Sequence, residues 1–201
     1  MRGILLCGGA SRRMGRRKEW LTFDERPLLL HTLETLQEIC SEVVVVAAEE
    51  RELERLVQLN VRAVLDEYAG QGPLAGLHAG LTGLPADEKA CLVACDLPFL
   101  QAGILQDLAQ VLEEQPGLQA VVPQEGERLY PVCALYHGQV REIAASCLQN
   151  GENAMKRFLA KLQVGYVPIE RYAAYEPPPF LNMNTPADYE RARTLWKKEG
   201  R

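Results

Sequence analysis

The sequence predicts an α/β protein: a single-domain, Rossmann-like, mostly parallel twisted sheet with helices on both faces. Three observations carry this. Short apolar runs alternate four times with stretches of helical periodicity, the pattern of a parallel sheet with crossover helices. One run, Val43-Val44-Val45-Val46, is β-branched and uninterrupted, as suits a strand buried on both faces. The residues with chemistry to offer sit just after the predicted strands, at the edge where open parallel sheets bind ligands.

In chain order, Ile4 to Cys7 reads as the first buried strand. Trp20 to Phe23 reads as a short strand and Asp24 to Pro27 as a turn. A helix follows from Pro27, with Leu29, Leu33, Leu36 and Cys40 at helical spacing. Val43–Val46 is the second main strand. Glu49 to Leu59 is a helix with Leu53, Leu56 and Val57 as its apolar stripe. Val61 to Leu65 is a strand ending at Asp66. Gly70 to Gly76 is a Gly-rich loop, and Leu74, Leu77 and Leu81 mark the helix after it. Cys91 to Ala94 is a strand ending in Cys95-Asp96-Leu97-Pro98, and Ile104, Leu105, Leu108, Val111 and Leu112 give the next helix.

The second half is less regular. Ala120 to Pro123 is a strand, Glu125 to Arg128 a turn, and Pro131 to Tyr136 a returning strand. Helices are predicted over 139–148 and 153–162, then a strand over 164–169. Pro177-Pro178-Pro179 reads as a stiff extended segment. Thr185 as cap, Pro186 at the first helical position and Asp188 three residues on from Thr185 open a terminal helix.

Composition sets bounds. The 201 residues suffice for one domain with a sizeable core. The formal net charge of −5 argues against general nucleic-acid binding, which needs an extended basic surface. No secretory signal and no bilayer-length apolar run is present, so no membrane partner is expected and a cytoplasmic location is. The six cysteines form no Cys-x-x-Cys and sit mostly in apolar runs, so buried free thiols are expected. A metal site on Cys91 and Cys95 would lack an accompanying His or Cys pair.

The first strand runs into Gly8 and Gly9, and Arg12, Arg13, Arg16, Arg17 and Lys18 follow within a few residues. Glycine lets the backbone turn sharply and bares its N–H groups to an anion, which the cations would neutralise. This reads as a loop that wraps a nucleoside triphosphate. It is neither the Walker pattern nor the dinucleotide fingerprint, because Lys18 precedes Glu19 and the two glycines are adjacent. A tight turn beside a solvated basic surface is the bland alternative. Asp96 reads either as a Mg²⁺ ligand or as a helix cap. Gly72-Pro73-Leu74-Ala75-Gly76 reads either as an anion-binding helix start or as glycines placed for packing.

Leu6-Cys7-Gly8-Gly9-Ala10-Ser11-Arg12-Arg13-Met14-Gly15-Arg16-Arg17-Lys18 resembles the signature of the MobA-type nucleotidyltransferases, with Cys7 in place of the usual Ala. Cys95-Asp96-Leu97-Pro98 resembles that family's metal-binding segment. Gly72-Pro73-Leu74-Ala75-Gly76 resembles the hallmark of its guanylyl branch, and Asn182-Met183-Asn184-Thr185-Pro186 its C-terminal motif. One departure is Val46-Ala47-Ala48, where many members carry an Asn that helps to bind the nucleotide.

The resemblance implies the nucleotide-diphospho-sugar transferase type of fold, with GTP bound by the N-terminal part and molybdopterin by the C-terminal part. It implies transfer of GMP from GTP to the terminal phosphate of molybdopterin, with release of pyrophosphate. Arg13, Lys18 and Asp96 would be catalytic, and Asp96 would hold Mg²⁺. Leu6, Cys7, Gly8, Gly9, Lys18, Asp66, Pro73, Leu74 and Asp96 would contact GTP. Arg128, Asn182 and Asn184 would contact molybdopterin. Transient contacts with other molybdenum-cofactor proteins are implied as well. Another nucleotidyltransferase, using CTP or a sugar phosphate, and a non-catalytic nucleotide-binding protein are the alternatives.

Overall fold

The apolar run at the start of the chain becomes β1 (Arg2–Cys7), the centre of the sheet. The structure, a computed structural model, describes residues 1–8, 17–59, 61–68 and 70–198. After β1 come a 3₁₀ turn (Lys18–Trp20), the ribbon strands β2 (Thr22–Phe23) and β3 (Arg26–Pro27), α1 (Leu28–Gln37), β4 (Glu42–Ala47) and α2 (Glu50–Gln58). Then follow β5 (Ala63–Leu65), α3 (Pro73–Leu81), β6 (Lys89–Ala94), α4 (Ala102–Glu114), β7 (Ala120–Glu125), β8 (Arg128–Leu129) and β9 (Cys133–His137). The chain closes with α5 (Val140–Gln149), α6 (Met155–Leu159), β10 (Val164–Pro168), a 3₁₀ turn (Ile169–Tyr172) and α7 (Pro186–Lys198).

The main sheet has the order β10-β7-β9-β6-β1-β4-β5, with β8 beside β7. β1 pairs in parallel with β4 and β6, β4 with β5, and β10 with β7. β9 runs against both of its neighbours, and β8 folds back on β7. The expected mostly parallel sheet is therefore present, and the turn at Gly126 returns the chain as its sequence suggests.

Residues of β1 alternate between two cores, because successive strand side chains point to opposite faces. Leu5 and Cys7 join α1, α2 and α4 on one face. Ile4 and Leu6 meet α3, α5 and α6 on the other. α3 lies flush on β1 because it carries glycines there. A Cβ on Gly76 would stand 2.5 Å from Leu6 Cδ2, and one on Gly80 would stand 2.4 Å from Ile4 Cγ2. Arg2 fastens the opposite ends of these elements. Its guanidinium pairs with Glu42 at 2.6 Å and donates to the carbonyls of Gly80 and Thr82 at 3.1 and 2.8 Å, where α3 runs out of internal partners.

A third cluster packs α7 onto the β2–β3 ribbon through Phe23, Leu28, Phe99, Met183 and Trp196. Trp196 Nε1 donates to Asp24 at 2.7 Å, and Tyr189 donates to the Thr22 carbonyl at 2.9 Å. This docking carries the segment before α7 back to the start of the chain. The α7 start follows its sequence: the Asp188 N–H donates to Thr185 Oγ1, and Asp188 Oδ2 accepts from the Thr185 N–H.

Several expectations change. Val57 is 62% exposed, so α2 buries Leu56 with Glu52 rather than Leu56 with Val57. Pro177–Pro179 is not extended: the chain bends there and turns, with the Leu181 N–H donating to the Pro178 carbonyl at 3.1 Å. Pro27 ends β3 and precedes the helix instead of lying in its first turn. Among the described residues no helix is long and apolar enough to cross a membrane.

Candidate active site at the carboxyl edge of the sheet

β1, β4, β5 and β6 are parallel, so their carboxyl ends share one edge. Gly8 directly follows β1, Asp66 directly follows β5, and Asp96 lies two residues beyond β6. The predicted convergence on one edge is what the structure shows.

Asp96 is the focus. The N-terminal cap of α4 is Gln101, so Asp96 does not cap that helix. Its backbone carbonyl accepts from the Met183 N–H at 2.9 Å, which pins the Asn182–Asn184 segment beside it. Lys18 Nζ donates to Asn184 Oδ1 at 2.8 Å and stands 3.9 Å from Asp96 Oδ2. The Asn182 amide, oriented so that its oxygen meets a donor, gives its N–H to Asp96 Oδ2 at 2.9 Å and accepts from Arg128 at 2.6 Å. Lys18, Asp96, Arg128, Asn182 and Asn184, all singled out in the sequence, thus form one connected group. Burial pushes the Asp96 carboxyl above the usual range, and the charges of Lys18 and Arg128 pull the other way.

Arg128 is oriented by neighbours the sequence does not advertise. Its guanidinium lies over the Tyr130 ring, 4.7 Å from the centroid, and 4.0 Å from Glu125. The Tyr130 hydroxyl donates to the same carboxylate at 2.8 Å.

At the other end of the edge, Asp66 is buried. Its Oδ1 accepts from the Tyr68 N–H at 2.8 Å, an Asx turn. Burial raises its pKa also. Gly72, at φ +77°, turns the chain into α3 with Pro73 at the first position. Pro73 is exposed, whereas Leu74 and Cys7 are buried and Leu6 is half-buried against α3. Leu6, Cys7 and Leu74 therefore offer a ligand chiefly their backbone. Gly9 and Arg13 lie outside the described residues.

Beside Gly8 sits a charged cluster in which Glu19 and Glu52 are buried. Arg17 pairs with Glu52 and with Glu49, the latter at 2.7 Å, and lies 4.0 Å from Glu19. Cys7 Sγ and a carboxylate oxygen each of Glu19 and Glu52 lie within 4.8 Å of one another. Gly8 is tightly enclosed: it has φ +112°, and a Cβ there would stand 2.5 Å from Glu52 Oε2 and 2.8 Å from Ala48 Cβ. Where an Asn is absent from Val46-Ala47-Ala48, the Ala48 N–H instead donates to Glu52 at 3.2 Å. Sequence reading missed this cluster, although Glu52 is four residues from Leu56 and so shares its buried face. None of His31, His78 and His137 joins the Asp96 group: His31 meets the Phe23 carbonyl at 3.0 Å, and His78 lies edge-on to Tyr68.

The donor set around Asp96 consists of one carboxylate and two side-chain amides, hard oxygen ligands with cations alongside. This fits a divalent cation of the Mg²⁺ class that shares its shell with substrate phosphates, and it does not fit a soft thiolate-seeking metal. Asp96 would hold it; the amide oxygens of Asn182 and Asn184 face Arg128 and Lys18.

Comparisons with known proteins place the chain in a family. A family model described as MobA-like NTP transferase domain matches residues 3–165. A protein of Pelotomaculum thermopropionicum named probable molybdenum cofactor guanylyltransferase is 36% identical over 197 residues, covering 96% of this chain and 92% of that one. A molybdenum cofactor guanylyltransferase of Desulfosudis oleivorans is 32% identical, covering 97% and 95%. The crystal structure of molybdopterin-guanine dinucleotide biosynthesis protein A from Archaeoglobus fulgidus superposes with a TM-score of 0.86 at 27% identity, covering 98% of this chain and 100% of that one. The chain belongs to the MobA-like NTP transferase family.

Proposed function

We propose that this protein transfers GMP from GTP to the terminal phosphate of molybdopterin, forming molybdopterin guanine dinucleotide and releasing pyrophosphate. The observation that carries the reading is the connected group of Lys18, Asp96, Asn182, Asn184 and Arg128 at the carboxyl edge. Residues from four separate parts of the chain meet there. Relatives bearing the guanylyltransferase name support the choice of substrates.

In this reading the backbone of Leu6, Cys7, Gly8 and Gly9 cradles the triphosphate. Arg13 and Lys18 neutralise its charge. Asp66 receives the guanine, and the start of α3 at Pro73 and Leu74 lies along the nucleotide. Arg128, Asn182 and Asn184 hold the acceptor, so GTP falls to the N-terminal part of the chain and molybdopterin to the C-terminal part. Mg²⁺ held by Asp96 would neutralise the triphosphate and polarise the α-phosphorus towards attack. The attacking group is already an anionic phosphate, so no general base is required, and no histidine lies in the Asp96 group. The protein's own contribution is to align two anions that would otherwise repel, and positioning supplies most of the rate in phosphoryl chemistry. The six free thiols suit a reducing cytoplasm.

The test is incubation with GTP, Mg²⁺ and molybdopterin, followed by mass analysis of the product and assay of pyrophosphate. The dinucleotide together with pyrophosphate is expected. Pyrophosphate formed from CTP in preference to GTP would move the protein to the cytidylyl reaction, and nucleotide binding with no turnover would make it a binding protein.

A further inference from the structure

We propose that Cys40 and Cys91 are a thiol pair that peroxide converts to a disulfide, tying the segment after α1 to β6. The two Sγ atoms lie 3.5 Å apart, although the residues are 51 positions apart in the chain. β1 runs between their elements, and Gly3 is what lets them meet. Gly3 stands in register with Cys91 on β6 and Val43 on β4. A Cβ on Gly3 would come within 3.3 Å of Cys40 Sγ. Without that side chain, the Cys40 thiol reaches over β1 to Cys91.

The two thiols differ as an attacking and a resolving thiol should. Cys40 is half-buried in the segment between α1 and β4, where a short shift closes the remaining distance. Cys91 is wholly buried in the central sheet. The hydrogen bond with Cys91 pulls the Cys40 thiol below its ordinary pKa, which raises its thiolate fraction. Burial pushes the Cys7 thiol up to about 12, and Cys95 and Cys133 also move upward.

The chemistry balances in two steps. The Cys40 thiol loses its proton, the thiolate takes one oxygen from hydrogen peroxide to give a sulfenic acid as the O–O bond breaks, and the hydroxide released takes up that proton and leaves as water. Cys91 sulfur then attacks Cys40 sulfur. The S–S bond forms, the S–O bond breaks, and hydroxide leaves with the Cys91 proton as a second water. Two thiols are oxidised and one peroxide is reduced to two waters. This device is independent of the nucleotidyl transfer.

The experiment treats the full chain, natively folded, with hydrogen peroxide. Intact mass and peptide mapping follow, after free thiols are blocked. The expected result is loss of two hydrogens, a linked peptide pair containing Cys40 and Cys91, and reversal by a thiol reductant. The linked form should melt several degrees higher, because closing a long loop restricts the unfolded chain. Cys40→Ser should lose the linkage. Cys91→Ala should stop at a Cys40 sulfenic acid that a cyclic diketone traps. The proposal is overturned if wild-type Cys40 passes straight to the sulfinic acid, if a different cysteine pair links, or if Cys40→Ser still loses two hydrogens.

Discussion

Among single residues, the proposed transfer makes its greatest demand on Asp96. Its carboxylate is the hard anionic oxygen donor of the cluster, and its backbone carbonyl separately anchors Met183. Asp96→Asn keeps the size and the backbone contact but replaces the anion with a neutral amide, a poor ligand for a hard cation. Turnover should fall by about 100-fold or more, the size of effect seen when one transition-state charge contact is lost. Thermal unfolding should stay near wild type, and near-normal turnover at saturating Mg²⁺ would remove Asp96 from the metal.

Glu19 behaves differently. Burial holds its carboxyl above the ordinary value of 4.5, with Arg17 only partly offsetting this. The folded state therefore binds that proton more tightly than the unfolded chain does. The resulting stability is complete below about pH 4.5 and is lost as pH rises through the folded value. Glu19→Gln removes the burden of a buried anion. Melting curves should show the variant above wild type at pH 7.5, with the gap closing towards pH 4.5; a variant that melts lower at pH 7.5 would mean that the Arg17 pairing outweighs burial. Asp96 is legible in the sequence because an acid closes a buried strand, and Lys18 because it ends a basic run after the first strand. The pairing of Arg17 with Glu52 is not, since Arg17 reads as a cation for phosphate and Glu19 and Glu52 as solvated charges until their partners are known.

Among the elements, α3 depends most on what it lacks. Gly76 and Gly80 both face β1, but they face different neighbours. A methyl on Gly76 would meet the Cδ2 tip of Leu6, with the other two near atoms at 3.7 and 3.8 Å. That flexible end can rotate away. A methyl on Gly80 would meet Cγ2, Cδ1 and Cγ1 of Ile4 at 2.4, 2.8 and 2.9 Å. A β-branched side chain held at χ1 in a fully buried strand has no such escape. Overpacking of this kind costs about 1–3 kcal/mol, while Ala for Gly in a helix returns up to about 1 kcal/mol. Urea unfolding should therefore show Gly80→Ala clearly destabilised and Gly76→Ala near neutral, and equal losses would refute the distinction. The first four strand–helix alternations were legible because buried runs and helical stripes differ in period. The α2 stripe was misread at Val57, since a short helix offers two overlapping stripes and packing chooses between them. The bends at Pro177–Pro179 were missed because three prolines alone suggest an extended chain.

At the scale of the whole molecule, strand order decides which part of a nucleotide each residue can reach, and no local pattern in the sequence states that order. The succession β6-β1-β4-β5 places Asp96 and Asp66 three strand spacings apart, roughly 14 Å along the edge. Gly8, just after β1, lies between them. A nucleotide laid across this edge with its phosphates near Asp96 and Lys18 puts its base near Asp66. Guanine presents its N1–H and exocyclic amine side by side, and an ionised carboxylate accepts from both. Cytosine and adenine lack that pair of donors. Asp66 already gives Oδ1 to the Tyr68 N–H, but each carboxylate oxygen can accept more than one bond. Two substitutions separate the turn from the base contact. Asp66→Asn keeps an acceptor for Tyr68 and turns the other acceptor into a donor, which opposes guanine. Asp66→Ala removes both. Calorimetry with GTP, CTP and ATP should find GTP bound best by wild type, and both variants should lose GTP affinity by about 10- to 100-fold, the worth of hydrogen bonds to a charged group. CTP and ATP should change little. If Asp66→Asn binds GTP as wild type does, Asp66 serves the turn alone; if wild type binds the three nucleotides equally, the guanylyl assignment itself fails.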